Sequence, residues 1–566
     1  MLGASSSWDK SHTTADLTAL KLCPQVQPLD LGRHTALYGE VVGLYEDTMY
    51  KAWAYESLSQ AIRIPTVTED GIGPPGQDRR WESRLELHRY LEERYPLMHS
   101  SLKRTVLNQF ALVYEWRGAD RSLKPILLTA HQDTIPVDPE SEEEWIHQPF
   151  SGYVDGEWIW GRGAVDGKAT LGAIFIAIES LLSKGFKPER TIVLAFGMDA
   201  EQGGIYGGPA IRNFLLSRYR PNGFSFVLGE GDGFSERSGI KFATPGVAEK
   251  GKLNLNMEIK MNSSPSRRRN AISLLSLVIS SLESTTFPTH LRAPSPTFAN
   301  LQCLTAHDPD FPEHLKELVM RATSSENAGH QDDTLSALDK ALLRSDESKW
   351  GEWLGSTKNV NLVSGGAKVG VAARRARAVV ETEVVDWSSV YDVQTTYIAL
   401  LSPLAAYLNL SFSAFDHTTV SPYQLDVGAQ NIAFAGHLAI SDFKWSATNP
   451  TPTSPTTGGQ SGAWQFLSGA IQGALVGSNV SGTDGQNIVV QPGLNLRTTE
   501  THWYTDLSPF IFRYAHRSDN DTYNGTPEGL HDDVNEAIRA ESFLEMSTFF
   551  VRLILGADDT ELLGRR

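Results

Sequence analysis

Apolar residues follow two alternating patterns over the first 245 residues of the chain. Short apolar or alternating runs predict strands, and longer stretches with apolar residues three or four positions apart predict helices. The predicted strands are 105–115, 126–130, 191–196 and 224–228, and the predicted helices are 44–64, 79–95 and 169–182. Strands that alternate with helices in this way are typical of an α/β domain built in layers.

The pattern changes after Pro245. The next predicted elements are strand 252–261, helix 271–282, strands 360–364 and 376–385, and helix 390–408. This order is that of a β-α-β-β-α-β unit of the ferredoxin-like kind, and the polar stretch 291–353 is interpreted as an insertion within it. Helix 463–474, strand 487–490 and helix 543–555 then return to the first domain. The predicted division is an N-terminal extension (1–40), a first domain in two parts (41–245 and 414–566) and an inserted domain (246–413).

Length and charge narrow the classes of function. A chain of 566 residues is too long for one ordinary core. Its formal charge of −17 argues against nucleic acid as a partner and gives no attraction to anionic membranes. The first 22 residues contain neither a basic segment nor a long apolar run, which predicts a cytoplasmic protein without a membrane anchor.

Two features leave that prediction of location open. Five Asn-x-Ser/Thr tripeptides, the acceptor pattern for N-glycosylation, point away from the cytoplasm; they begin at Asn262, Asn409, Asn479, Asn520 and Asn524. The chain has two cysteines, Cys23 and Cys303, and the sequence does not decide whether they pair.

Candidate chemistry follows the ends of two predicted strands. His131 and Asp133 come directly after the apolar run 126–130, and alternate residues of an extended chain face the same side. Asp166 lies in a glycine-bracketed loop, and Glu201 follows the strand 191–196. Imidazole with carboxylates is the ligand set of a catalytic zinc, and ligands bind at the strand ends of open α/β sheets. The sequence therefore predicts a zinc site there.

These motifs resemble those of the two-zinc peptidase family that includes carboxypeptidase S, aminoacylase and glutamate carboxypeptidase. The likeness lies in His131-Gln-Asp133, in the loop 161–168 and in Asp199-Ala-Glu201-Gln-Gly-Gly, and it is strongest to the carboxypeptidase S branch. The resemblance implies a zinc-peptidase-type catalytic domain, with a mixed sheet between helices, and an inserted ferredoxin-like lid. In that family the lid is also the dimerisation domain, so a homodimer is implied.

The resemblance also implies the ligands. Asp166 would bridge two zinc ions, Glu201 and His531 would share one of them, and His131 would bind, oriented by Asp133. The family ligand for the second zinc normally ends the next strand, where this chain has Gly229, so Glu230 or Asp232 would have to replace it. One or two zinc ions per chain are therefore expected.

Departures from the family pattern fall at chemical positions. The family places a Glu that acts as general base immediately before the ligand Glu, and here that position is Ala200. Asp199 and Glu230 are the candidate replacements. The lid histidine that helps to stabilise the oxyanion is replaced by Asn262, whose amide can still donate a hydrogen bond.

Three functions follow from these observations. The first is a zinc-dependent hydrolase of small peptides or N-acyl amino acids, with altered or weakened activity. The second is an enzyme repurposed on the same scaffold to form, cyclise or rearrange a small amide or peptide substrate in biosynthesis. The third is a non-catalytic relative of the peptidases. The resemblance favours the first, and the departures favour the other two. We adopt the first, because retention of His131, Asp166, Glu201 and His531 would be unexpected in a purely structural protein.

Overall fold

The structure is a computed structural model that describes residues 22–69, 71–262, 269–324, 331–415, 434–476, 487–523 and 534–565. Its α-helices are α1 Thr35–Tyr45, α2 Thr48–Ile62, α3 Ser83–Arg94, α4 Pro96–Ser101, α5 Lys168–Ser183, α6 Gly207–Tyr219, α7 Ala271–Glu283, α8 Pro296–His307, α9 Glu313–Thr323, α10 Gln331–Ser345, α11 Glu347–Leu354, α12 Val390–Tyr407, α13 Gly462–Val476 and α14 Ala540–Asp558. Within this described part of the chain, no helix has the length and apolar character needed to cross a bilayer. The prediction made on the first 22 residues falls almost entirely on 1–21, outside the described residues.

The strands form two larger and two smaller sheets in the described ranges. They are β1 Lys103–Leu107, β2 Ala111–Trp116, β3 Ile126–His131, β4 Trp158–Trp160, β5 Ile192–Gly197, β6 Val227–Gly229, β7 Phe234–Arg237, β8 Ile240–Ala243, β9 Gly246–Glu249, β10 Gly251–Met261, β11 Thr357–Gly365, β12 Arg375–Val384, β13 Leu410–Ala414, β14 Gly436–Asp442, β15 Ile488–Val490, β16 Gly493–Asn495, β17 Ile511–Arg513 and β18 Ala537–Arg539.

The largest sheet is mixed and carries the predicted site at its strand ends. Its order is β1-β2-β5-β3-β6-β17-β9-β16, and β3 is parallel to both neighbours, β5 and β6. Every residue of β3 and β5 is buried, because helices cover both faces. One face packs with the largely buried helices α5, α13 and α14, and the other packs with α6. The predicted α/β class is confirmed.

Two predicted elements are each interrupted in the structure: the strand 105–115 by a turn, and the helix 44–64 by a break between α1 and α2. The predicted strand 105–115 is a hairpin, because Asn108 and Gln109 adopt left-handed φ values of 43° and 73° that end β1 and begin the return. The predicted helix 44–64 begins only at Thr48, where the Asp47 side chain accepts a hydrogen bond from the Tyr50 N–H and caps α2. In both cases local polar residues, rather than the spacing of apolar residues, set where the element ends or begins.

The second domain is built on a separate sheet of order β11-β12-β10-β14-β13. Alternate residues of β10 are buried, and α7 and α12 pack over that face. The predicted end of this domain at residue 413 is wrong, since β14 pairs with β10 from Leu255↔Asp442 to Met261↔Gly436. The short β14 lies beyond a long connection, so its pairing is set by a tertiary contact that local pattern does not reveal.

The predicted insertion 291–353 folds as the helices α8–α11 around an apolar cluster of its own. This cluster reaches Phe242 of β8 and Val489 of β15, so the helices pack against the small sheet β15-β8-β7. Cys23 and Cys303, both buried, form a disulfide that joins the start of the described chain to α8 across 280 residues. The pairing that the sequence left open is therefore present.

Candidate metal centre

His131 stands at the centre of the site, as the last residue of β3. It pairs with Gly197, the last residue of β5, so the ends of two parallel strands meet beside it. Its Nε2 lies 3.1 Å from Asp166 Oδ1 and 3.0 Å from Glu230 Oε2. Three residues, His131, Asp166 and Glu201, each offer one ligand atom, and these three atoms lie within 4.8 Å of one another. The structure thus brings four of the predicted ligands together.

Asp133 lies on the other side of the imidazole. Its Oδ1 is 3.2 Å and its backbone oxygen 3.0 Å from His131 Nδ1, and its side chain is fully buried. The same carboxylate accepts the backbone N–H groups of Ala200 and Glu201 at 3.1 and 3.2 Å. One side chain therefore orients the histidine and also fixes the turn that carries Glu201.

The close approach of Asp166 to His131 depends on Gly167. This glycine has a left-handed φ of 80°, and a β-carbon on it would lie 2.6 Å from His131 Cε1. Any side chain there would push the imidazole away from the loop. The glycine therefore permits the loop before α5 to place its carboxylate beside the ring.

Glu230, rather than position 229, brings a carboxylate to His131. A β-carbon on Gly229 would lie 2.3 Å from Thr501 Cγ2 and 2.9 Å from Thr129 Oγ1, so no side chain fits at the end of β6. The next residue, Glu230, reaches His131 instead, and its buried Oε1 has no hydrogen-bond partner among the described residues. An unpaired buried carboxylate oxygen is an acceptor left for a cation.

The donor set fits a zinc ion. Ligands about 2.0–2.1 Å from a tetrahedral zinc lie roughly 3.4 Å from each other, and the contacts of His131 Nε2 at 3.0 and 3.1 Å are close to that separation. Burial lowers the pKa of His131, but Glu230 and the two aspartates bonded to the ring outweigh it and hold the pKa well above 6.5. The carboxylates thus favour a positive charge at this point.

Comparison with known proteins agrees with this geometry. Residues 127–555 match the sequence model of peptidase family M20/M25/M40. The chain belongs to this peptidase family. It is similar to carboxypeptidase S of Saccharomyces cerevisiae, with 30% identity over 500 residues that cover 87% of this chain and 82% of the yeast protein. As a member of this family, the protein is a metallopeptidase- or amidohydrolase-like enzyme.

A further relative has a different printed name, and a solved structure shows the shared fold. The N-fatty-acyl-amino acid synthase/hydrolase PM20D1 of Mus musculus is 33% identical over 242 residues, which cover 41% of this chain and 46% of that protein. The solved structure of the di-peptidase Dug1p from Saccharomyces cerevisiae superposes with a TM-score of 0.60 at 13% identity, covering 94% and 99% of the two chains. At that identity the likeness shows the M20 fold alone.

Asp199 holds the turn that follows β5. Its two carboxylate oxygens accept the backbone N–H groups of Tyr206 and Gly207 at 2.7 and 2.8 Å, and the residue is fully buried. Burial, with the nearby Asp133 carboxylate, raises the pKa of Asp199 to about 7. Both oxygens anchor the turn after β5, and the role of Asp199 as the replacement base stays a prediction.

The other two predicted residues cannot be placed at the centre. Asn262 is exposed at the end of β10, and its Nδ2 donates to the Phe434 carbonyl at 3.1 Å, inside the second domain. Among the described residues, none of its contacts reaches the His131 cluster. His531 lies outside the described residues. Both roles stay predictions.

The sequence reasoning missed Glu500, a buried acid beside the centre. A β-carbon on Gly197 would lie 2.1 Å from Glu500 Oε1, so this glycine makes room for the carboxylate beside the end of β5. Burial and then Asp199 raise the pKa of Glu500 well above 4.5, and its Oε1 has no hydrogen-bond partner within the described ranges. The sequence signal that could have revealed Glu500 is Gly197, since a glycine at the end of a strand often marks the close approach of another segment.

Proposed function

We propose that the protein is a zinc-dependent hydrolase of amide bonds in small peptides or N-acyl amino acids. The observation that carries this proposal is the convergence of the His131, Asp166, Glu201 and Glu230 side chains at the strand ends of the large sheet. These four residues would hold the metal together with His531. Zinc bound there supplies Lewis-acid polarisation of a carbonyl and activates water.

Support for the substrate class comes from the names of relatives. They include a carboxypeptidase, a di-peptidase and an N-fatty-acyl-amino acid synthase/hydrolase, and all three names concern an amide bond to an amino acid. A screen of dipeptides and N-acyl amino acids, with the protein first freed of metal and then reloaded with zinc, tests the proposal. Hydrolysis that appears only with zinc is expected, and no hydrolysis of any substrate would overturn it.

A repurposed enzyme is the second candidate, and Ala200 is the observation that favours it. The Ala200 N–H donates to Asp133 and its side chain is half-exposed, so the backbone of the family's base position is kept while the proton-transferring group is lost. Loss of that group would suppress hydrolysis and leave an activated amide for other chemistry. The same screen decides, because this candidate predicts zinc binding without hydrolysis.

We further propose a homodimer formed through the second domain. Its strand β11 is at an edge of the five-stranded sheet and exposes Leu362 and Val363 at 47% and 62%. An exposed edge with apolar side chains is a template for pairing with another strand. Sedimentation of the purified chain as a monomer at micromolar concentration would contradict this.

The number of metal ions follows from Glu230. Because Glu230 replaces the ligand missing at Gly229, we expect two zinc ions per chain, and we expect Glu230→Gln to lose one of them. Metal analysis after dialysis against zinc measures both. The matched control is Asp232→Asn, which changes an acid in the same loop and should keep two ions. A wild-type protein without zinc would overturn the function, whereas an unchanged Glu230→Gln would overturn only the role of this residue.

We propose that the protein resides in an oxidising compartment and not, as predicted, in the cytoplasm. Disulfides persist outside the cytosol, and Cys23–Cys303 is buried and closed. The described sequon asparagines, Asn262, Asn409 and Asn520, are all exposed. We expect protein from its native cells to lose mass on treatment with an N-glycosidase, with a smaller loss for Asn409→Gln. Free thiols and an unchanged mass would restore the cytoplasmic prediction.

A further inference from the structure

Glu536 makes an unusual set of contacts with the loop that carries Asp166. Its Oε1 accepts the N–H of Val165 at 2.7 Å and the N–H of Asp166 at 3.3 Å. Its Oε2 accepts the N–H of Gly163 and the Arg162 guanidinium, each at 3.0 Å. One carboxylate therefore receives four donors from a stretch of five residues.

The loop needs such an external acceptor. It follows β4 and precedes α5, and Gly161, Gly163 and Gly167 have φ values of 135°, 94° and 80°. Glycines lose more conformational entropy on ordering than other residues, so this loop is costly to fix in one conformation. The Glu536 backbone carbonyl also accepts the Gly161 N–H at 2.8 Å, which extends the same anchor along the loop.

Only a carboxylate satisfies these donors. An ionised carboxylate offers two oxygens and about four lone pairs, whereas glutamine offers one oxygen and turns an NH₂ group toward the donors. The Glu536 and Arg162 side chains are 11% and 5% exposed, so the ion pair is largely shielded from water. Glutamine would therefore leave the donors at one of the two oxygens without an acceptor.

Glu536 also belongs to the C-terminal segment of the site. It precedes β18, which pairs with β4 through Ala537↔Trp160, and it follows the predicted ligand His531 by five residues. The contact therefore joins the Asp166 loop to a segment about 370 residues later in the chain. Two parts of the site that are distant in sequence share one anchor.

We infer that Glu536 is a positioning residue for the metal centre: its carboxylate holds the 162–166 loop so that Asp166 remains beside His131. This inference rests on the proposed function, because it requires that the centre binds zinc. Supporting residues of this kind typically contribute 10–100-fold to metal affinity. The predicted ligands alone would not have revealed it, since Glu536 touches none of their metal-facing atoms in the described structure.

The test is the zinc affinity of Glu536→Gln, measured by competition with a chelator of known affinity. We expect the Kd to rise by roughly 10–100-fold, with the circular dichroism of the metal-free protein unchanged. Glu536→Asp, which keeps the charge but shortens the side chain, should fall between wild type and Glu536→Gln. The matched control is Glu157→Gln, since Glu157 is an exposed residue next to β4 that pairs with Arg539 at 2.7 Å; its affinity should not change.

The outcomes separate the inference from the proposed function. Unchanged zinc affinity in both Glu536 variants would overturn the inference, even if their melting temperatures fall, because that result describes a purely structural contact. If Glu536→Gln does not fold, the affinity of Glu536→Asp decides in the same way. A wild-type protein that binds no zinc would overturn the proposed function and the inference with it.

Discussion

Replacing Ala200 with Glu is expected to raise hydrolysis of a simple N-acyl amino acid by about 10²–10⁴-fold, the usual contribution of a general acid–base group. Ala200 begins the short helical turn 200–202, and its N–H is held by Asp133. A longer side chain would therefore extend from a fixed backbone next to the ligand Glu201. There it could take a proton from water and return it to the leaving amine. The measurement is kcat/KM for the zinc-loaded protein.

The matched control for this change is Ala200→Gln. Glutamine has the size of glutamate but transfers no proton at neutral pH, so this variant should not exceed the activity of the wild type. If the wild type already turns over at about 1–10³ per second and Ala200→Glu brings no gain, another residue acts as the base. Glu500 would then be tested first, as Glu500→Gln, because its buried Oε1 has no hydrogen-bond partner among the described residues, while both oxygens of Asp199 are engaged.

Local pattern predicted the parts of the fold in which local and tertiary preferences agree. Helix 271–282 is found as Ala271–Glu283, because its apolar residues keep helical spacing and Asn270 caps its start. The spacing of His131 and Asp133 also led to a true contact at Nδ1. In these cases the residues that set the structure are neighbours in the sequence.

Two contacts near the candidate site could not be predicted from the sequence. The turn after Asp199 brings two backbone N–H groups onto its carboxylate. Thr501, some 270 residues later, excludes a side chain at Gly229, and Glu230 is the acid that lies 3.0 Å from His131 Nε2. Neither contact leaves a periodic signal in the chain, so only the folded structure shows them.

Replacing Arg513 with Met is expected to destabilise the protein by about 3–5 kcal/mol, the cost of leaving a buried charge without its partner. The Arg513 and Glu249 side chains are both fully buried, with Nη2 3.1 Å from Glu249 Oε1 and Nε 3.1 Å from Oε2. Arg513 Nε also donates to Thr501 Oγ1 at 2.9 Å. Methionine fills much of the space but offers no donor to Glu249. Chemical denaturation with a probe in the large sheet measures the loss.

The control for Arg513→Met is Arg212→Met, which breaks the ion pair of Arg212 with Asp506. Those side chains are 33% and 50% exposed, so the loss should stay within about 1 kcal/mol. Adding Glu249→Gln to Arg513→Met should recover part of the stability, because the unpaired charge is then removed. Equal losses for Arg513→Met and Arg212→Met would show that burial of the pair adds nothing to the cost of breaking it. Arg513 also holds Thr501, which lies against Gly229, the residue directly before Glu230. Arg513→Met should therefore bind zinc more weakly than Arg212→Met.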